Sequence, residues 1–271
     1  MKTISLLNLK GGVAKSFTAA NMAYELWRRG NKILLWDNDK QGNLSKAFGR
    51  YEAEEISPAA KILSGEWKNE EKLIRPTDYE GIDLITANMS VFGAVWNLTK
   101  AEEADRTERY QGFIESVSGN LGEGRVRDRY DYCIIDNPPD IGMNVVNALM
   151  ITDEVIVPVK IDENALEGLD IVAEQVEDAK TLNPSLNLKG VLVTVYQNTD
   201  GEAAGLEWLR REWENAEGRN YRRYEILGVI RYSAKVAENS FVRKPIYEYS
   251  PCCKAAQDYK KFVSTYTGME R

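Results

Sequence analysis

The stretch Lys10-Gly11-Gly12-Val13-Ala14-Lys15-Ser16 lies between an apolar, strand-like run, Ile4 to Leu7, and a helix-patterned run that ends at Gly30. A glycine-containing loop in that position turns successive backbone N–H groups toward one point, and the positive end of the following helix dipole strengthens the field there. Such a point binds phosphate. Lys15, at the end of the loop, can reach the β- and γ-phosphates of a nucleotide, and the hydroxyl of Ser16 can ligate Mg²⁺. The candidate nucleotide-binding residues are therefore Gly11, Gly12, Val13, Ala14, Lys15, Ser16 and Phe17.

Outward from this loop, short apolar and β-branched runs recur at Ile33 to Trp36, Ile82 to Ile85, Cys133 to Ile135, Val155 to Val159, Val191 to Val195 and Ile226 to Ile230. Several are continuous rather than alternating, as strands covered on both faces are. Helical spacing separates them. Phe17, Ala20, Ala23 and Trp27 mark one helix with Gly30 as its C-terminal stop. Leu169, Val172, Val176 and Ala179 mark a second, Leu206, Leu209 and Trp213 a third, and Tyr259, Phe262, Val263 and Tyr266 the last. Strands alternating with helices predict right-handed βαβ units: a doubly wound α/β fold with a mostly parallel sheet flanked by helices. One domain is expected over residues 1–271, with 51–130 more polar and less regular and Gly119 to Gly124 a surface loop.

Three strand ends turn the loop into a site. Ile33 to Trp36 runs into Asp37-Asn38-Asp39-Lys40-Gln41-Gly42-Asn43, Cys133 to Ile135 into Asp136-Asn137-Pro138-Pro139-Asp140, and Val155 to Val159 leads to Asp162 to Gly168. In an open α/β sheet ligands bind outside the carboxyl ends of the strands. Asp136 stands where nucleotide-bound Mg²⁺ needs a carboxylate, and Asp39 could orient a water toward a γ-phosphate.

Composition narrows the chemistry. The 271 residues include no histidine, which removes Ser–His and Cys–His nucleophilic catalysis and any His-ligated metal. What remains is Lys, Asp, backbone dipoles and a bound cation, and phosphoryl transfer runs on those parts. The three cysteines, Cys133 and the adjacent Cys252 and Cys253, have poor spacing for a shared metal. No apolar run approaches the roughly 18 residues of a membrane span, and the first residues read as a strand rather than a leader. The expected location is the cytoplasm. A net charge of −7 speaks against a wholly basic nucleic-acid coat but not against a local basic patch.

At this point the chain resembles a known family. Lys-Gly-Gly-x-x-Lys-Ser, Asp-x-Asp-x-Gln-Gly-Asn and Ile-Asp-x-Pro-Pro are similar to the deviant Walker A, switch I and Walker B/switch II motifs of ParA/MinD-type ATPases, above all the ParA partition proteins. The resemblance extends over nearly the whole chain, through Ile74-Arg75-Pro76-Thr77, Tyr79 to Leu84, Thr152 to Pro158, Gly190 to Val195 and Lys244-Pro245-Ile246. It implies a P-loop NTPase-type fold and a slow, Mg²⁺-dependent ATPase that forms a homodimer around ATP. Matched position by position, Lys10 is the signature lysine that reaches the partner's phosphates, Lys15 the P-loop lysine and Ser16 a Mg²⁺ ligand. Asp39 is the carboxylate that polarises the attacking water, and Asp136 the Walker B aspartate. Four residues depart from the pattern: Ala14 for glycine, Phe17 for threonine, Leu9 for glutamine and Lys40 for proline. If position 14 needs φ > 0, alanine costs about 1 kcal/mol there.

The resemblance also implies nonspecific DNA binding in the ATP-bound dimer, stimulation by a ParB-type centromere-binding protein, and nucleoid association. The segment 210–244 carries nine basic and five acidic residues, a net +4 against −11 for the rest of the chain, which suits phosphate-backbone contact. Arg231, Lys235 and Arg243 are the candidate DNA-binding residues, because they fall where the family binds DNA. Membrane anchoring through a C-terminal amphipathic helix is not expected, because the apolar face of Lys254 to Tyr266 is needed to cover the sheet. The alternative is a positioning ATPase of the same scaffold acting on a non-DNA assembly, MinD-like or secretion-related.

Overall fold

The computed structural model describes residues 1–100, 106–116, 124–162, 165–214 and 225–268. Its strands are β1 (Lys2–Leu6), β2 (Ile33–Asp37), β3 (Arg75–Pro76), β4 (Ile82–Ile85), β5 (Tyr132–Asp136), β6 (Glu154–Val159), β7 (Asn187–Tyr196) and β8 (Ile226–Arg231). They form one eight-stranded sheet in the order β3-β4-β2-β5-β1-β6-β7-β8. Every pairing is parallel except β3 with β4. β3 escapes sequence reading because two residues, one of them proline, carry no period.

Parity along the strands decides the two layers. Ile33 and Leu35 of β2 join Ile4, Ile134 and Leu192 against α1 (Lys15–Arg28) and α11 (Lys254–Thr267). Leu34 and Trp36 point the other way, with Cys133 and Ile135, toward α3 (Pro58–Ser64), α4 (Ser90–Leu98) and α5 (Arg109–Ile114). Farther along that face, Val155, Val157, Val191 and Val193 pack on α6 (Met143–Met150), α7 (Ala165–Ala179) and α8 (Asp200–Glu214). Both faces are thus covered, which is why β2, β5 and β6 carry nearly continuous apolar runs. α2 (Asn43–Ala47), α9 (Ala234–Val242) and α10 (Ile246–Tyr249) are short connectors near the carboxyl ends of the strands.

Two details add to the expectation. Among the described residues, the less regular stretch 51–130 holds α3, α4 and α5 beside β3 and the anticipated β4; the helices are too short for their period to stand out. The buried face of α1 is wider than a Phe17–Trp27 stripe, because Thr18, Ala19, Met22 and Leu26 are also enclosed. The expected loop over 119–124 lies, apart from Gly124, outside the described residues. The apolar face of α11, Tyr259, Phe262 and Val263, is buried against the sheet as anticipated.

The chain leaves β1 toward β2 on one side and later crosses from β5 to β6 on the other. β1 is therefore where the winding reverses, and the crevice of a doubly wound sheet opens at that point.

Candidate active site

The loop after β1 is built by two left-handed residues. Gly12 has φ 73° and Ala14 has φ 61°, ψ 30°. The space beside Gly11 and Gly12, where a side chain would begin, is open. Ala14 caps α1 without any side-chain hydrogen bond, so the first N–H groups of a 14-residue helix face the loop free of a competing cap. The backbone thus has the form expected of an anion cradle, and position 14 has the positive φ at which alanine is strained. Ala14→Gly is expected to raise stability by roughly 0.5–1 kcal/mol, the relief of about 1–2 kcal/mol of left-handed strain less the greater freedom of glycine when unfolded. In a thermal scan this is a midpoint about 2 °C higher.

Lys15 is buried, 8% exposed, and donates to the carbonyls of Asn8 (3.0 Å) and Lys10 (3.1 Å). Burial pulls its pKa down, while the carboxylates of Asp136, Asp39 and Asp140 pull it up. The ammonium group is thus stripped of solvent but held among three carboxylates. Lys10 is different. Its side chain is 41% exposed and its Nζ is ion-paired with Asp162, just after β6. The two lysines share a loop, but Lys15 faces the site's interior and Lys10 its mouth.

Opposite the loop, β2 and β5 bring two acids into register, Asp37 beside Asp136. Both are buried. Asp37 accepts from the Ser45 amide (2.8 Å) and hydroxyl (2.7 Å) and from the Asp39 amide (3.2 Å). Burial pushes its pKa up to about 6 against those bonds. Neither carboxylate oxygen of Asp136 has a hydrogen-bond partner of ordinary geometry. Burial first, then the neighbouring Asp37, raises its pKa well above the usual range, opposed by Ser16 and Lys15. A buried, unpartnered carboxylate is a costly group that a cation would satisfy. Among the described residues no group of three or more Cys, Asp or Glu could hold a metal by itself. Asp136 with Ser16 fits a Mg²⁺ ion that keeps most of its shell for phosphate and water. Asp39, 7% exposed, stands two residues beyond Asp37, its Oδ1 accepting from the Gln41 amide at 2.9 Å. Lys40 bridges to Asp140 at 2.9 Å, tying the two acidic loops together at the surface.

Beyond Ala14 and Phe17 lies a mainly apolar cavity of about 170 Å³, walled by Val195, Ile230, Tyr232 and Val236. It suits a flat aromatic base on a nucleotide whose phosphates occupy the loop. Just past Val195 in the chain, the Tyr196 hydroxyl donates to Asn198 Oδ1 at 2.8 Å. Ile230 and Tyr232 come from β8 and its exit, far along the chain from Ala14 and Phe17, so no local pattern joins the two walls of this cavity.

The three candidate DNA contacts are not equivalent. Arg231 is clasped by Asp258 through two bonds of 2.8 Å. Lys235 is paired with Glu238 at 2.7 Å. Arg243 makes no ion pair among the described residues; it ends α9 with φ 56° and, with Lys46, Arg50 and Lys244, lines a groove of about 700 Å³. Arg219, Arg222 and Arg223 of the basic segment lie outside the described residues.

Comparison with known proteins gives three kinds of likeness. A family model described as AAA domain matches residues 1–188. The chromosome partitioning protein ParA of Caulobacter vibrioides is 29% identical over all of this chain and 96% of its own length. The chromosome-partitioning ATPase Soj of Thermus thermophilus is 31% identical over 97% of this chain and 94% of its own. Among solved structures, the complex of a Cyanothece McdA variant with ATP superposes with a TM-score of 0.81 over 100% of this chain and 98% of that one, at 18% identity. That last likeness is one of fold.

Proposed function

We propose, from the premise that this chain belongs to the AAA domain family and within it to the ParA/MinD-type P-loop ATPases, that it is a DNA-partitioning ATPase that pairs with a second copy around ATP. Its cofactors are ATP and Mg²⁺. In this reading the dimer binds DNA without sequence preference, and a ParB-type partner stimulates hydrolysis. The observation that carries the reading is the unpartnered Asp136 carboxylate, buried beside Asp37 and facing Ser16 and Lys15 across the amide cradle.

Each residue then has a task. The amides of residues 11–16 hold the phosphate tail, and Lys15 neutralises charge at the β- and γ-phosphates. Asp136 and Ser16 hold Mg²⁺, which when bound draws electron density from the phosphate oxygens. Asp39 accepts a hydrogen bond from the attacking water and aims it. Lys10 leaves Asp162 and extends across the mouth to the phosphates of the other subunit, in the manner of an arginine finger.

Sedimentation tests the whole reading. ATP with Mg²⁺ should shift the protein to a dimer that carries duplex DNA with it, ADP should not, and the DNA should be lost as salt rises. Calorimetry that finds no heat from Mg-ATP with folded protein would remove the nucleotide site. A dimer that ignores DNA would leave the positioning reading.

DNA contact is assigned to Arg231, Lys235 and Arg243, with unequal shares. Arg243→Ala is expected to lower the slope of log affinity against log salt by about 1 and to weaken binding alike on unrelated sequences. Arg231→Ala is expected to act mainly on the fold, costing about 1 kcal/mol by releasing Asp258. Filter binding at four salt concentrations, with a urea melt of each variant, separates the two.

A further inference from the structure

The strand ends that present the two acids also present two amides. Along β2, Leu34 and Trp36 face α3 to α5 while Ile33 and Leu35 face α1. β5 follows the same parity with Cys133 and Ile135 against Ile134. One step past the carboxylates Asp37 and Asp136, side chains turn back to the α5 side. The residues there are Asn38 and Asn137, both 0% exposed.

Both amides are hydrogen-bonded through oxygen and nitrogen. Asn38 Nδ2 donates to Asn137 Oδ1 (2.8 Å) and to the Asn144 carbonyl at the start of α6 (3.1 Å). Asn38 Oδ1 accepts from the Tyr110 hydroxyl at 2.6 Å. Asn144 Nδ2 returns a bond to the Asn38 carbonyl (2.9 Å), and Asn137 Nδ2 donates to the Leu6 carbonyl of β1 (3.2 Å). The Asn38 amide itself donates to the Asp136 carbonyl at 3.0 Å. Tyr110 is fully buried, its ring 4.3 Å from that of Trp36. A core in this place could be apolar; four amide and phenol groups instead bind the Asp39 loop, the Asp136 loop, the P-loop strand, α5 and α6 into one unit.

We propose that Asn38 is a positioning residue for ATP hydrolysis: with Asn137, Asn144 and Tyr110 it holds the Asp37–Asp39 loop in register with the Asp136 loop, so that the Asp39 carboxylate meets the attacking water. This rests on the role given to Asp39 above. Asn38 lies on the face of the sheet away from the acids and touches no substrate. It acts through the backbone it shares with Asp37 and Asp39. A loop that drifts by about 1 Å costs about 10²-fold in rate while leaving phosphate binding to the cradle intact.

The test uses the full chain with Tyr110→Phe, Asn38→Ala, the double variant and Asp39→Ala. Tyr110→Phe keeps the ring on Trp36 and removes only the donor to Asn38. The expected result is a kcat lowered about 10- to 100-fold in either single variant, with KM and the affinity for a fluorescent ADP analogue within about 3-fold of wild type. The double variant should lose little more than the worse single one, as members of one unit do. A merely structural network would lower the melting temperature and leave kcat alone, and that overturns the proposal. Should Asn38→Ala fail to fold, Tyr110→Phe decides. If Asp39→Ala keeps full turnover, neither the role of Asp39 nor the proposal stands. If Asp39→Ala is inactive while folded Tyr110→Phe and Asn38→Ala turn over normally, the proposal alone is wrong.

Discussion

Asp136→Asn is expected to make the nucleotide-free protein more stable and to cut Mg²⁺-dependent ATP turnover by about 10²- to 10³-fold. The carboxylate is buried, its oxygens have no hydrogen-bond partner of ordinary geometry, and it lies beside Asp37. Replacing it with an amide removes a like charge and adds a donor facing Asp37, worth about 1–3 kcal/mol in a buried site. The pH dependence has a definite sign. The pKa of Asp37 is raised to about 6 in the fold, so its contribution to stability is present at low pH and is lost as pH rises through that value. The wild type should therefore trail the variant by more at pH 8 than at pH 5. Urea unfolding at both pH values without Mg²⁺, beside an ATPase assay with it, checks both halves. A variant less stable than wild type at pH 8 would mean that Asp136 is satisfied by the fold itself and is not waiting for a cation.

Lys10→Ala and Lys15→Ala are expected to fail in different ways. Lys15 is enclosed, bonded to two carbonyls and surrounded by three aspartates. Its removal leaves those acids uncompensated around an incoming polyanion. Affinity for ADP should fall by about 10²-fold or more, since charged hydrogen bonds of this kind contribute about 1.5–3 kcal/mol each. Lys10 sits at the mouth, and within its own chain pairs only with the part-exposed Asp162 among the ion pairs described. Lys10→Ala should therefore bind ADP within about 3-fold of wild type, yet lose about 10³-fold in turnover, the scale of a cation supplied in trans. Equilibrium titration with a fluorescent ADP analogue separates the two cases. Adding the inactive Lys15→Ala chain to Lys10→Ala supplies the missing lysine from a partner, and partial recovery of turnover is expected if the two copies can pair. Equal loss of ADP affinity in both variants would show that Lys10 serves its own subunit.

Much of this site was legible before any coordinates. The P-loop could be read because its physics is local: two glycines, a lysine and a hydroxyl within seven residues dictate the amide cradle. The left-handed backbone at Ala14, φ 61°, was foreshadowed only by the resemblance, in which glycine stands at that place. Asp39 and Asp136 could be read because carboxylates at strand ends have few other reasons to cluster. Asn38 and Asn137 follow the two acids in the chain but carry no such signal, because an asparagine after a strand is ordinarily a turn residue. The three DNA candidates rest on a resemblance along the chain within a basic segment, and neither reveals that Asp258, 27 residues later, neutralises Arg231.

By itself the amino-acid order determined the alternation of strand and helix, the burial of the sheet on both faces, the phosphate loop and the acids that answer it, because each is written within a turn or a strand. Tertiary structure alone decided which acid stands beside which, that Lys15 points inward and Lys10 outward, that an apolar cavity beside the loop is walled from β7 and β8, and that two amides back the two carboxylates. Those are facts of register and of layer. A parallel sheet sets them by placing strands far apart in the chain side by side, and no local pattern records which neighbour a strand will take.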